Sequence, residues 1–124
     1  MIKPAVEGTL AALKGAQKHK AKRVVVTSSV AAIWKTSDEK QTHFTHDDWT
    51  DATSKRVGAY EKSKTLAEKA AWDFVKALPD DEKFELVCIN PGLVLGPNLN
   101  TSNFSSGDVI SNFLTGKMPC LALA

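Results

Sequence analysis

At 124 residues the chain is one domain's worth of polypeptide, long enough to bury a core. Its hydrophobic and charged fractions, 43% and 24%, are those of a globular protein, and a net charge of +2 is too small to argue for nucleic acid or an anionic membrane as partner. No apolar run reaches membrane-spanning length, no secretory signal opens the chain, and the cysteines Cys88 and Cys120 are too few for a disulfide scaffold, so both are read as reduced in a cytoplasmic chain.

Residues 3–18 predict a helix. Pro4 suits its first position, where a missing N–H costs nothing, and Val6, Leu10 and Leu13 form an apolar stripe. The basic run 18–23 before a strand reads as a solvated connector rather than a nucleic-acid patch. Residues 23–29, Arg-Val-Val-Val-Thr-Ser-Ser, predict the next element. A continuous β-branched run suits a parallel strand covered on both faces. Its end carries Ser28 and Ser29. In open α/β sheets ligands sit beyond the carboxyl ends of strands, which would place both serines at a site; serines also end strands as turn formers. Both readings stand at this point.

Residues 33–57 form a long polar connection, of the kind that lines a substrate pocket. Its His43-Phe44-Thr45-His46-Asp47-Asp48 run holds metal-ligand types, but no second ligand cluster supports it, and no metal is expected. A second helix is predicted from about Val57 to Leu78, stopped by Pro79, with Tyr60, Ala67, Ala70, Phe74 and Leu78 at helical spacing and Leu66, Ala71 and Val75 widening the apolar face. Tyr60 and Lys64 fall on one face in its first two turns, since four residues is just over one turn. An ammonium near a phenol favours the phenolate, which makes the tyrosine a proton donor and acceptor at working pH. Lysine is abundant here, so this pair draws its weight from its surroundings.

After a solvated turn at 80–83, residues 84–89 predict another apolar strand, ending in Asn90-Pro91-Gly92, where the backbone is expected to bend sharply and approach a ligand closely. A Ser/Asn-rich loop over 98–106 leads to a short helix from Asp108 to Thr115. Val109, Ile110, Phe113 and Leu114 are expected inward, with Gly116 as the stop. This order predicts a parallel, right-handed α/β sheet.

A hydroxyl-tipped strand, a Tyr-x-x-x-Lys helix and a Pro-Gly turn would thus meet at one sheet edge. In order and spacing the chain resembles the extended short-chain dehydrogenase/reductases, in the branch of dihydroflavonol, cinnamoyl-CoA and aldehyde reductases. The matching residues are Val6-Glu7-Gly8-Thr9, the strand 23–29, Asp48-Trp49-Thr50-Asp51, the helix start 60–68 and Asn90-Pro91-Gly92-Leu93-Val94-Leu95-Gly96-Pro97, spread over essentially the whole chain.

The resemblance implies part of a doubly wound Rossmann-type parallel sheet and reduction of a small-molecule carbonyl, or oxidation of the alcohol, with NADP (or NAD) as cofactor. Ser29 would be the catalytic serine, with Ser28 the second choice, Tyr60 the general acid/base, and Lys64 the residue that binds the nicotinamide ribose. Pro91, Gly92, Leu93 and Val94 would border the nicotinamide, and Ser106 stands where the family has a cofactor-contacting serine. The chain has no G-x-x-G-x-x-G turn to cradle a pyrophosphate. The resemblance therefore implies the central segment of one NAD(P)-binding domain, without its glycine-rich half or its C-terminal substrate region. The catalytic roles are then expected of a full-length protein, while the isolated 124-residue chain is expected to be inactive. Nucleotide-sugar epimerases and steroid dehydrogenases share the Ser/Tyr/Lys chemistry, though the Asp48-Trp49-Thr50-Asp51 loop favours the reductases. An inactive fragment or interaction module is the reading of another class.

Overall fold

A computed structural model describes residues 1–35, 40–97 and 105–118. Most of the predicted Ser/Asn-rich loop, and Cys120, lie outside the described residues. The elements are α1 (Ile2–Lys18), β1 (Arg23–Thr27), a 3-10 turn (Val30–Ala32), α2 (Ala59–Ala77), β2 (Glu85–Ile89) and α3 (Ser105–Leu114). They fall into two compact units, Met1–Gly92 and Leu93–Ala124. Among the described residues no helix is long and apolar enough to cross a membrane.

In the first unit α1 starts one residue earlier than its pattern predicts. Pro4 is therefore its third residue, still within the turn whose N–H groups have no helical acceptor. The helix ends on two bonds, from Lys20 N–H to the Gln17 carbonyl and from Ala21 N–H to the Ala16 carbonyl. This closure puts Lys20 in the left-handed region (φ 53), where glycine is the usual occupant.

β1 and β2 pair in parallel, from Arg23 opposite Glu85 to Thr27 opposite Ile89. Alternation along both strands sends Val24, Val26, Leu86 and Cys88 inward. They meet Leu13 and Ala16 of α1, and Ala71, Phe74 and Val75 of α2, in one apolar cluster closed by Phe84 and Leu78. Both helices thus pack on the same side. The expectation of a strand covered on both faces fails among the described residues: Val25 is 58% exposed and Ile89 49%. A β-branched run fits the pleat whether or not its second face is covered.

α2 runs from an N-cap at Gly58 to Ala77, with Pro79 just beyond. Its buried stripe differs from the predicted one. Ser63, Thr65 and Glu68 are buried with Ala67 and Ala71, whereas Tyr60 and Leu66 are exposed. The hydroxyls tolerate burial because they turn back on the helix, Ser63 to the Tyr60 carbonyl and Thr65 to the Glu61 carbonyl, each at 2.7 Å.

The long connection is pinned by Thr50, which is fully buried. Its N–H donates to the Ala32 carbonyl and its hydroxyl to the Ala31 carbonyl, both at 2.8 Å, while Oγ1 accepts from Lys35 N–H at 3.1 Å. A single side chain so fastens the loop to the 3-10 turn after β1. In the second unit, α3 starts at Ser105, three residues before its predicted start, and gives way at Gly116 (φ 71). Val109 is half-buried, but Ile110, Phe113 and Leu114 are exposed rather than inward.

Candidate active site

The pairing of β1 with β2 continues beyond the strands. Ser28 N–H donates to the Ile89 carbonyl at 2.8 Å and Val30 N–H to the Pro91 carbonyl at 3.0 Å. These bonds hold both serines in extended backbone at the carboxyl edge of the sheet. Ser29 caps the 3-10 turn, its Oγ accepting from Ala31 N–H at 3.1 Å. The turn-forming role is therefore real, yet it uses only a lone pair, and the hydroxyl hydrogen stays available to donate. Ser28 is 7% exposed, and its Oγ has no hydrogen-bond partner among the described residues. A buried hydroxyl left unpaired costs about 1–3 kcal/mol and calls for an explanation.

α2 supplies the rest. Tyr60, its second residue, is 50% exposed. One turn on, Lys64 is half-buried and lines a cavity of about 150 Å³ with Thr9, Val26, Ser28 and Glu68. Lys64 and Ser28 thus line one small space, although the Ser28 hydroxyl oxygen itself is shut off from solvent. The first turn of α2 is fixed by Glu61, its third residue. The Glu61 carboxylate takes the Lys35 ammonium at 2.7 Å and is also bonded by the backbone N–H groups of Glu61 and Gly58. The Lys35 hydrogen bond first, then these backbone donors, hold its pKa below the ordinary value. Gly58 permits this closure: a Cβ there would sit 2.6 Å from Glu61 Oε2. Lys35 lies 5.2 Å above the Trp34 ring as well.

Beneath the cavity, Glu68 is 5% exposed. Its carboxylate accepts from Asn90 Nδ2 at 2.8 Å and from the Trp72 indole at 3.5 Å. The Cys88 thiol is pushed up to about 12, by burial first and then by the charge of Glu68 and a hydrogen bond to it. Asn90 Nδ2 also donates to the Ser29 carbonyl at 3.0 Å.

The first unit therefore gathers Ser28, Ser29, Lys64 and Pro91 at one sheet edge, with Tyr60 a turn from Lys64. Leu93, Val94 and Ser106 belong to the second unit. At Gly92 φ is not positive, and a Cβ there would meet no protein atom within 4 Å. Sequence reasoning missed Glu68, Asn90, Glu61 and Lys35 as parts of the site. Only Glu68 left a legible signal, four residues beyond Lys64 on the same face. Among the described residues no cluster of three or more His, Cys, Asp or Glu side chains is disposed to hold a metal. A larger depression of about 580 Å³, lined by Lys14, Lys18, Lys22, Glu82 and Lys83, opens at the amino ends of the strands. Ligands of parallel sheets sit at the opposite edge.

The model of the 3-beta hydroxysteroid dehydrogenase/isomerase family matches residues 1–111. The chain is 40% identical over 109 residues to an NADPH-dependent methylglyoxal reductase of Saccharomyces cerevisiae, covering 80% of this chain and 32% of that protein. It is 39% identical over 121 residues to a cinnamoyl-CoA reductase of Medicago truncatula, covering 94% of this chain and 36% of that one. The structure of Gre2 in complex with NADPH from Candida albicans superposes with a TM-score of 0.76 at 36% identity, over 92% of this chain and 38% of that chain. The chain thus spans about a third of the length of the relatives it matches.

Proposed function

Because the chain belongs to the 3-beta hydroxysteroid dehydrogenase/isomerase family, we propose that its carboxyl sheet edge is the proton-handling part of an NADPH-dependent reductase of small carbonyl compounds. One observation carries the reading. A single helix presents a half-exposed Tyr60 and, one turn on, Lys64, which lines a cavity with Ser28 at the end of a parallel strand. Relatives named as reductases of methylglyoxal and of cinnamoyl-CoA support carbonyl reduction, and the former is named for NADPH.

The residues present suit a nicotinamide ribose. Lys64, which lines the cavity, ends in an ammonium with three N–H donors. When bound, the reduced nicotinamide supplies the hydride. Tyr60 delivers its phenolic proton to the substrate oxygen, and exposure of its ring leaves that hydroxyl within reach of a ligand. Ser29 donates its hydroxyl hydrogen to the same oxygen, because Ala31 N–H occupies only a lone pair. Lys64 holds the ribose and keeps a positive charge one turn from the phenol. Pro91 lies at this edge through its bond to Val30. The assignments of Gly92, Leu93, Val94 and Ser106 rest on the family resemblance alone.

Two variants, made in a full-length protein that carries this segment, test the proposal. Tyr60→Phe keeps the ring and removes the proton, so turnover in NADPH oxidation with an aldehyde or dicarbonyl should fall about 10²–10⁴-fold with cofactor binding little changed. Lys64→Met should instead raise the KM for NADPH. Wild-type turnover and KM in both variants would return the pair to plain helix surface.

A further inference from the structure

Glu68 is the buried ionisable group that the chemistry above leaves unused. A carboxylate 5% exposed is tolerated only when well paired. Its partners here are the Asn90 amide at 2.8 Å, the Trp72 indole at 3.5 Å and the Cys88 thiol, none of them a cation. The Asn90 amide has one hydrogen for Glu68 and a second for the Ser29 carbonyl at 3.0 Å. The Ser29 carbonyl has no proton to give, so the nitrogen end of Asn90 must face it. The side chain therefore works as a two-pronged donor between α2 and the peptide of Ser29, groups far apart in sequence.

The three elements joined at this point are the ones that carry the proposed chemistry. α2 carries Tyr60 and Lys64, the segment after β1 carries Ser28 and Ser29, and the end of β2 leads into Pro91. Backbone pairing fixes the last two against each other through Ser28 to Ile89 and Val30 to Pro91. It does not tie either of them to α2. The Glu68–Asn90–Ser29 strap does, beside the Lys35–Glu61 pair at the start of α2.

We propose that Glu68 is a positioning residue. Through Asn90 it sets where the Ser29 hydroxyl stands relative to the Tyr60–Lys64 face of α2. This rests on the reductase reading for its kinetic consequence, but the strap itself is open to an independent measurement.

The test uses Asn90→Asp, which swaps a double donor for an acceptor of the same shape, together with Asn90→Ala, Glu68→Ala and Glu68→Gln, whose amide oxygen still accepts from Asn90. Each variant is assayed for kcat and for KM of NADPH, and for amide hydrogen exchange at Val30 and Ala31 under conditions where circular dichroism shows it folded. Displacement of a reacting group by about 1 Å costs on the order of 10²-fold, so Asn90→Asp, Asn90→Ala and Glu68→Ala should lose about 10- to 100-fold in kcat. KM should change little, exchange at Val30 and Ala31 should quicken, and Glu68→Gln should recover most of both losses. The Glu68→Ala/Asn90→Ala pair should be no slower than its worse single variant, because the two act as one unit. Losses that multiply, a Gln variant as poor as Ala, or wild-type kcat with wild-type exchange would each overturn the proposal. Should Asn90→Asp not fold, Asn90→Ala and the Glu68 pair carry the same comparison. If a full-length protein carrying this segment reduces no carbonyl with NADPH, the functional reading falls, and exchange alone decides the strap: unchanged rates at Val30 and Ala31 would end it.

Discussion

At one end of the β1–β2 sheet charge stands in water; at the other, polar groups are buried and bonded in fixed directions. Ahead of the strands, Arg23 reaches Glu85 through two nitrogens at 2.7 Å, and Lys83 reaches Asp80 at 2.7 Å, all on exposed or partly exposed side chains. Beyond the strands, Ser28, Ser29, Thr50 and Glu68 are all buried, and each except Ser28 has hydrogen-bond partners. Both ends are rich in hydrogen bonds, so their number does not distinguish them. The difference lies in desolvation. An exposed pair competes with water for what it gains, whereas a buried group must find its partner within the fold or carry the cost of lacking one.

Thr50→Val should produce the largest effect on stability. It keeps the shape but strands the Ala31 carbonyl and Lys35 N–H, a cost of about 1–3 kcal/mol read as a shift in denaturant midpoint. Arg23→Ala at the opposite end serves as its control, and an equal loss there would erase the contrast between the ends.

Next comes the acid response of the turn that carries Tyr60. The folded Glu61 carboxyl titrates below its ordinary value of 4.5. The stability it adds is therefore fully present above that pH and is lost as pH falls through the lower, folded value. Denaturant midpoints measured against pH should show Glu61→Gln flatter than wild type below about pH 4.5. Parallel curves would show that Lys35 and Glu61 do not hold this turn.

A smaller gain is expected on the solvated side. Lys20→Gly relieves a left-handed residue at the end of α1 and adds flexibility to the unfolded chain, for a net stabilisation of about 0.5–1 kcal/mol. A destabilised variant would mean that Lys20 makes a contribution beyond closing the helix. Arg23→Ala stands last, at roughly 0.2–1 kcal/mol for an exposed ion pair.

Much of this was legible in the sequence because it depends on local patterns. The apolar stripe through Leu13, the β-branched run at 24–26, the stop at Pro79 and the four-residue step from Tyr60 to Lys64 all act within one element. What could not be read depends on which elements meet. Leu66 looks as apolar as Ala67, yet one is exposed and the other buried, because the face of α2 is chosen by its neighbours. The exposed face of β1 could not be foreseen from Val25, whose branching suits either environment. Asn90 read as part of a turn, since its two acceptors come from positions 29 and 68, and no local rule brings those together. The separation of the serines' roles had the same origin: the cap on Ser29 and the unpaired hydroxyl of Ser28 appear only once the 3-10 turn and α2 are in place.

The central claim is that the carboxyl edge of the sheet reduces a carbonyl with Tyr60 as proton donor. Its most direct test is label transfer from NADPH carrying deuterium at both positions of nicotinamide C4, with methylglyoxal as substrate and mass analysis of the product. The account predicts, for a full-length protein carrying this segment, an alcohol one deuterium heavier at the former carbonyl carbon, and that product all but absent with Tyr60→Phe. No label in the wild-type product, or equal label with both proteins, would contradict it.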